Sequence, residues 1–172
     1  MMWERVGGEL CFATLRNEIE DRALPLDGIP DERLQRLYAY WREKRRDRLM
    51  PARADIDPSE MRWLLGRISL IDVTQNPLRF RYRLFGLALV EEFRQDLTGK
   101  ALHEMQPRFW SAIVHNHFKK VVGTRQPNLY HVVVRHDGLE ADYLRLAVPL
   151  SNDGREVSMI MTAVVSNRAA HH

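Results

Sequence analysis

Cysteine is nearly missing from this chain: among 172 residues Cys11 stands alone. A single thiol forms no internal disulfide and fits a reducing compartment, where it reads as a buried or bystander side chain. Long apolar runs are missing as well. No stretch approaches the ~18 consecutive apolar residues of a membrane-spanning helix. The first twenty residues, with Glu4 and Glu9, lack the apolar core and small-residue cleavage site of a secretory signal. A cytoplasmic protein is therefore expected. Charge of one sign is not in large excess either, since 26 Lys and Arg face 23 Asp and Glu for a net +3, so any basic character is local. Low-complexity tracts, internal repeats and the motifs of serine hydrolases, zinc proteases, phosphate-binding loops and paired-cysteine redox sites do not occur. The chain is not expected to be an enzyme.

What is present belongs to an ordinary folded domain, with 45% hydrophobic and 28% charged residues. Residues 1–30 read as an extension or linker ending in LPLDGIP, where two prolines and a glycine punctuate the chain. Residues 31–66 read as N-terminal helices. Asp31 is placed to cap the first, and Leu34, Leu37, Tyr38 and Trp41 recur at the spacing of one apolar helical stripe. That stripe can pack on the chain's own sheet or on a partner's. Arginines and lysines crowd the other faces. Asp57, Pro58 and Glu60 then read as a reciprocal cap for a second helix, which gives these acids a structural role.

From Arg67 the period changes to two. RISLIDV and LRFRYRLF are separated by a turn signal and read as a hairpin; Leu78, Phe80, Tyr82 and Leu84 alternate with Arg79, Arg81 and Arg83. One face of the second strand is apolar and the other carries a ladder of three arginines. A helix is predicted from about Arg108 to Gly123, followed by the strands NLYHVVVRH, YLRLAVPL and VSMIMTAVV. Two strands, helices and a three-stranded meander over residues 67–166 define an α+β domain with one antiparallel sheet and helices on one face.

FRYRLFGLALVEEFRQDLTGKAL, in which a strand ends at Gly86, a helix follows and a second glycine, Gly99, introduces another turn, resembles the pattern of PAS sensory domains. With LYAYWREKRRDRLMPARADIDP, LIDV and LRLAVPLSNDGREV, the chain from about 33 to 165 is similar to a family of small PAS-like proteins, mainly alphaproteobacterial and of unknown function. The resemblance implies a PAS-like five-stranded sheet with helices enclosing a pocket. It implies a stand-alone sensory or protein-interaction module in bacterial signal transduction, working with a signalling partner and as a homodimer. Phe80, Tyr82, Trp110, Ile113, His117, Tyr130 and Val132 would line the pocket; they equally describe a filled core, which would make the chain a ligand-free adaptor. A small α+β enzyme using Tyr82, His117 and Tyr130 is the third reading.

No cofactor is assigned. His117 lies where haem-binding relatives place a proximal ligand, but haem is disfavoured and no metal is expected, since His115 and His117 project about 200° apart on a helix. A flavin attached through Cys11 is disfavoured further. Leu37, Tyr38, Trp41, Arg79, Arg81 and Arg83 form the expected interaction surface. Nucleic acid is disfavoured as a partner, because aromatics and basic residues do not share an exposed face. His171 and His172 read equally as native or as remnants of an affinity tag and take no part in the argument.

Overall fold

The computed structural model of the chain describes residues 18–167 and the backbone of 3–6 and 9–12. The latter form a short hairpin, β1 (Trp3–Val6) and β2 (Glu9–Phe12). The main sheet is antiparallel and has six strands: β3 (Glu18–Leu24), β4 (Ile68–Thr74), β5 (Arg79–Phe85), β6 (Asn128–His136), β7 (Leu139–Leu150) and β8 (Met159–Ser166). They lie in the order β3-β6-β7-β8-β4-β5. Five of them are the hairpin and meander expected from alternation. The sixth, β3, falls in the stretch read as a linker and pairs along β6 from Glu18↔Arg135 to Leu24↔Leu129.

Among the described residues three α-helices complete the fold: α1 (Glu32–Arg45), α2 (Leu87–Phe93) and α3 (Arg108–Thr124). α1 starts where expected, because the Asp31 carboxylate accepts the backbone N–H groups of Arg33 at 2.8 Å and Leu34 at 3.3 Å. Both alternating sets of side chains in the middle of β7 are buried, so this part of the sheet is covered on its two faces. α3 lies over the set containing Tyr143 and Arg145. α1 packs against β7 as well, leaving it the set Leu144, Leu146, Val148 and Leu150.

The stripe of α1 is thus spent inside the molecule. Leu34, Leu37 and Trp41 are buried, and the Trp41 indole N–H donates to the Pro149 carbonyl at 2.8 Å. Tyr38 is half-buried and stacks on Trp41. Leu37 and Trp41, expected on an interaction surface, are therefore core residues. The helix turns its apolar side to its own sheet because each large side chain so buried gains about 1.5–3 kcal/mol. Several cations beside them are occupied locally: Arg45 lies over the Trp41 ring, Lys44 pairs with Glu60 and Arg48 with Asp55.

Two local expectations change. The Asp57 side chain caps a short 3₁₀ turn by accepting from Ser59 N at 2.9 Å, but Glu60 does not reach back to it. Glu60 instead accepts from the Tyr40 hydroxyl at 2.6 Å, and that hydroxyl takes the Asp57 N–H. In β5 the alternation breaks at a bulge. Leu84 pairs with Leu70 and Tyr82 with Ile71, which leaves Arg83 as the extra residue. Phe85 consequently turns inward and Leu84 outward, to 43% exposure.

The two glycines around α2 serve different purposes. Gly86 has an ordinary φ of −59°, yet a Cβ there would stand 2.3 Å from the Gly66 carbonyl oxygen and 2.8 Å from that of Ile68. It is required by a close crossing of backbones. Gly99 has φ +79°, which lets residues 99–101 run along the open edge of β5, where Tyr82 N–H donates to Lys100 O and Gly99 N–H to Tyr82 O. Gly86→Ala is expected to lower stability by ~2 kcal/mol or more, since neither backbone can yield. Gly123→Ala, near the exposed end of α3 with nothing within 4 Å, should raise it by up to ~1 kcal/mol. Urea denaturation of the two variants checks both signs.

Candidate functional site

Directly opposed residues of paired strands share a face, so register alone collects the side chains under α3. Tyr130 pairs with Arg145 and Asp21 with Val132; Arg145 pairs with Val164, Thr162 with Ser69, and Ser69 with Phe85. Between this face, α2 and α3 lies a cavity of about 30 Å³. That is room for a few waters or a ligand of a few heavy atoms. Phe85, Phe93, Leu97, Met105 and Val114 supply apolar walls. Ser69, Tyr82, Gln95, Tyr143, Arg145 and Thr162 supply polar groups, and Trp110 spans both kinds, with its indole N–H donating to the Tyr143 hydroxyl at 2.8 Å.

Arg145 is the anomaly of the site. It is 4% exposed, and among the described residues no carboxylate forms an ion pair with it. Its guanidinium lies 5.4 Å from the Phe118 ring centre, donates through Nη2 to His117 Nδ1 and bonds the Tyr143 hydroxyl, while its Nε–H has no partner among the described residues. Ser69 Oγ, on the same cavity, is buried without a partner too. Burial without compensation is costly for a charged group, so the surroundings of Arg145 are shaped by it. Burial also pushes the phenols of Tyr82 and Tyr143 above their ordinary pKa, with Arg145 opposing.

An arginine can only donate, which fixes the histidine. His117 Nδ1 must carry the lone pair, so the ring is the neutral tautomer with its proton on Nε2, and Nε2–H donates to Asp21 Oδ2 at 2.7 Å. Tyr130 stacks on the imidazole with ring centres 3.5 Å apart. Burial, then the Arg145 cation, lowers the His117 pKa to about 4 against the opposing pull of Asp21. The result is one hydrogen-bonded chain from the cavity through Arg145 and His117 to Asp21 on the edge strand β3. With both ring nitrogens engaged, iron ligation by His117 would break one of these bonds.

Of the residues expected at the pocket, Tyr82 and Trp110 line the cavity. His117 and Tyr130 sit behind Arg145, Val132 is fully buried in the sheet, and Ile113 is half-buried on α3. Phe80 packs edge-on against Phe118 and His115 and borders an outer groove. The arginine ladder is exposed, with Arg83 paired to Asp72 and Arg81 donating to Gly99 O, and Arg79 joins Arg81 along the same outer groove. His131 belongs to the other face of the sheet, where it pairs with Asp142 at 2.8 Å. The side chain of Cys11 lies outside the described residues. Among those described, no group of three or more His, Cys, Asp or Glu is placed to hold a metal ion, and no helix is long and apolar enough to cross a membrane.

Arg145, Asp21 and Ser69 were not anticipated. A charged residue inside YLRLAVPL, an otherwise apolar strand run, was the available signal for the first. Asp21 had none, because its strand was read as a linker.

The five antiparallel strands β4 to β8, extended at one edge by β3, with α2 and α3 closing a cavity on one face, have the architecture of a PAS domain, and a family model described as PAS domain (PAS_5) matches residues 30–164. The chain belongs to this family. No curated protein and no solved structure matches it.

The depressed His117 pKa links stability to pH. The unfolded chain, with a histidine pKa of about 6.5, binds the proton before the folded one does, so stability falls as pH drops from about 6.5 toward 4. The groups facing the imidazole are Asp21 from β3, Arg145 from β7, Tyr130 from β6 and Lys120 from α3. A loss of about 1–2 kcal/mol between pH 6.5 and 5 is expected by urea denaturation, and it should be largely absent in His117→Gln. Nitrogen chemical shifts should show His117 still neutral at about pH 5.

Proposed function

We propose that this PAS domain is a sensory and protein-interaction module of bacterial signal transduction, working in the cytoplasm, that reads a small molecule in the cavity beneath α3 and acts without catalysis of its own. The observation that carries this reading is the cavity's connection to the chain edge. A pocket bounded by aromatic side chains and convergent polar groups suits a small ligand, and here one of those groups, Arg145, is bonded through His117 to Asp21. A ligand that engages Arg145 differs in affinity between the arrangement in which Arg145 holds His117 and one in which it does not. That difference is the condition for a population shift. The output would then be the set and stability of β3 and the surface around it, offered to a signalling partner.

Dimerisation, which we retain as part of this reading, must use faces other than the Leu37–Trp41 stripe. Light scattering at micromolar concentration checks it, with a monomeric mass counting against it.

The first test is purification under mild conditions, followed by mass spectrometry of the small molecules released on denaturation. A molecule released in stoichiometric amount is expected, and adding it back should raise Tm with the logarithm of its concentration above Kd. Hydrogen exchange should slow in β3 when the cavity fills, and Asp21→Asn should weaken that response. A protein that releases nothing and whose Tm no metabolite panel moves would leave the adaptor with a filled core as the better account.

A further inference from the structure

We infer that the cavity beneath α3 takes a small organic carboxylate, held by Arg145. The inference rests on the reading of the cavity as a ligand site and names the chemistry that site selects. Arg145 is a permanent cation, 4% exposed, with no carboxylate paired to it among the described residues. Its acceptors are the neutral His117 Nδ1 and the Tyr143 hydroxyl, neither of which carries a negative charge, and its Nε–H has no partner among the described residues. Ser69 Oγ, 1% exposed for the residue as a whole, is a second buried group without a partner on the walls of the same cavity. Two unspent hydrogen-bonding groups and an uncompensated charge around one space call for an anion with more than one acceptor.

The rest of the lining decides which anion. Phe85, Phe93, Leu97 and Met105 give walls on which a hydrated inorganic ion gains nothing, whereas a carboxylate with a short hydrocarbon tail buries the tail on them and its head at Arg145. The volume of about 30 Å³ restricts the tail to one or two carbons. The Tyr82 and Tyr143 phenols, kept protonated by burial, add no competing negative charge.

Propionate, propionamide and nitrate discriminate the possibilities. In titrations of the intact protein followed by ¹H–¹⁵N NMR, propionate is expected to shift the Arg145 Nε–H and Trp110 Nε1–H resonances saturably. Propionamide, alike in shape but uncharged, should bind about tenfold or more weaker. In Arg145→Gln the advantage of propionate should vanish. Should that variant not fold, Ser69→Ala keeps the guanidinium and is expected to weaken propionate severalfold. Equal binding of propionate and propionamide would overturn the carboxylate assignment while leaving a small-molecule cavity in place. Nitrate binding as tightly as propionate would overturn the organic assignment. No shift of either resonance with any of the three would overturn both this inference and the ligand-site reading beneath it.

Discussion

Much of the α3 side of this domain is arranged around one buried positive charge. Removing a guanidinium from water costs several kcal/mol unless acceptors replace the water, and the strand that carries Arg145 offers only the Tyr143 hydroxyl, its ladder carbonyls being committed to β6 and β8. The other acceptors come from α3. His117 supplies Nδ1 and Phe118 an aromatic face, two successive residues that reach Arg145 from the same turn of helix. Because Arg145 donates to Nδ1, the histidine proton is confined to Nε2, and because that proton is there, it needs an acceptor. Asp21 provides it. A single buried charge thereby sets a tautomer, orients an imidazole and ties an edge strand to the sheet's interior.

The remainder of the structure makes this arrangement affordable by keeping the neighbourhood dry and close. The middle strands β7 and β8 are buried on both faces, with α1 closing the side away from Arg145. On the near side, the backbone crossing at Gly66 and Gly86 brings α2 close against the sheet, and the segment from Gly99 to Ala101 runs along the edge of β5. These contacts are geometrically demanding but chemically plain. They define a small space and leave its chemistry to Arg145, Ser69 and the phenols.

How much of this was legible depends on whether the signal was local. Alternation placed five strands, the i, i+3, i+4 stripe placed α1, and Asp31 marked its start, since each follows from periodicity or from a side chain within three residues of the backbone it caps. Leu84 was misplaced because a bulge at Arg83 shifts the phase, and nothing in RFRYRLF announces it. The pocket list mixed true lining, Tyr82 and Trp110, with residues one layer away for the same reason. The period says which face a residue occupies, but not how deep in the sheet a cavity opens. Asp21 was invisible on principle. EIEDRAL has a charged, exposed face on an edge strand and makes sense only when paired with β6, from Glu18↔Arg135 to Leu24↔Leu129, more than a hundred residues away. An arginine in YLRLAVPL is different, since it contradicts its own surroundings, and such local contradictions are where function tends to concentrate.

The position of β3 gives the buried charge its further meaning. The match to the PAS family begins at residue 30 and β3 ends at Leu24, so the strand that Asp21 occupies is an addition at the sheet's edge. An edge strand is held by one neighbour only, here β6, and its opening costs less than that of any central strand. The His117–Asp21 bond is its side-chain tether to the core, and the strength of that bond depends on what Arg145 is bonded to. An anion at Arg145 would offset the cation's charge and draw its N–H groups away from Nδ1; a proton can then occupy Nδ1, and the imidazolium so formed binds the Asp21 carboxylate more strongly than the neutral ring does. On this account occupancy of the cavity tightens β3 rather than releasing it. The empty protein, in which burial and the Arg145 cation together keep His117 neutral, is then the state in which the added strand is most loosely held.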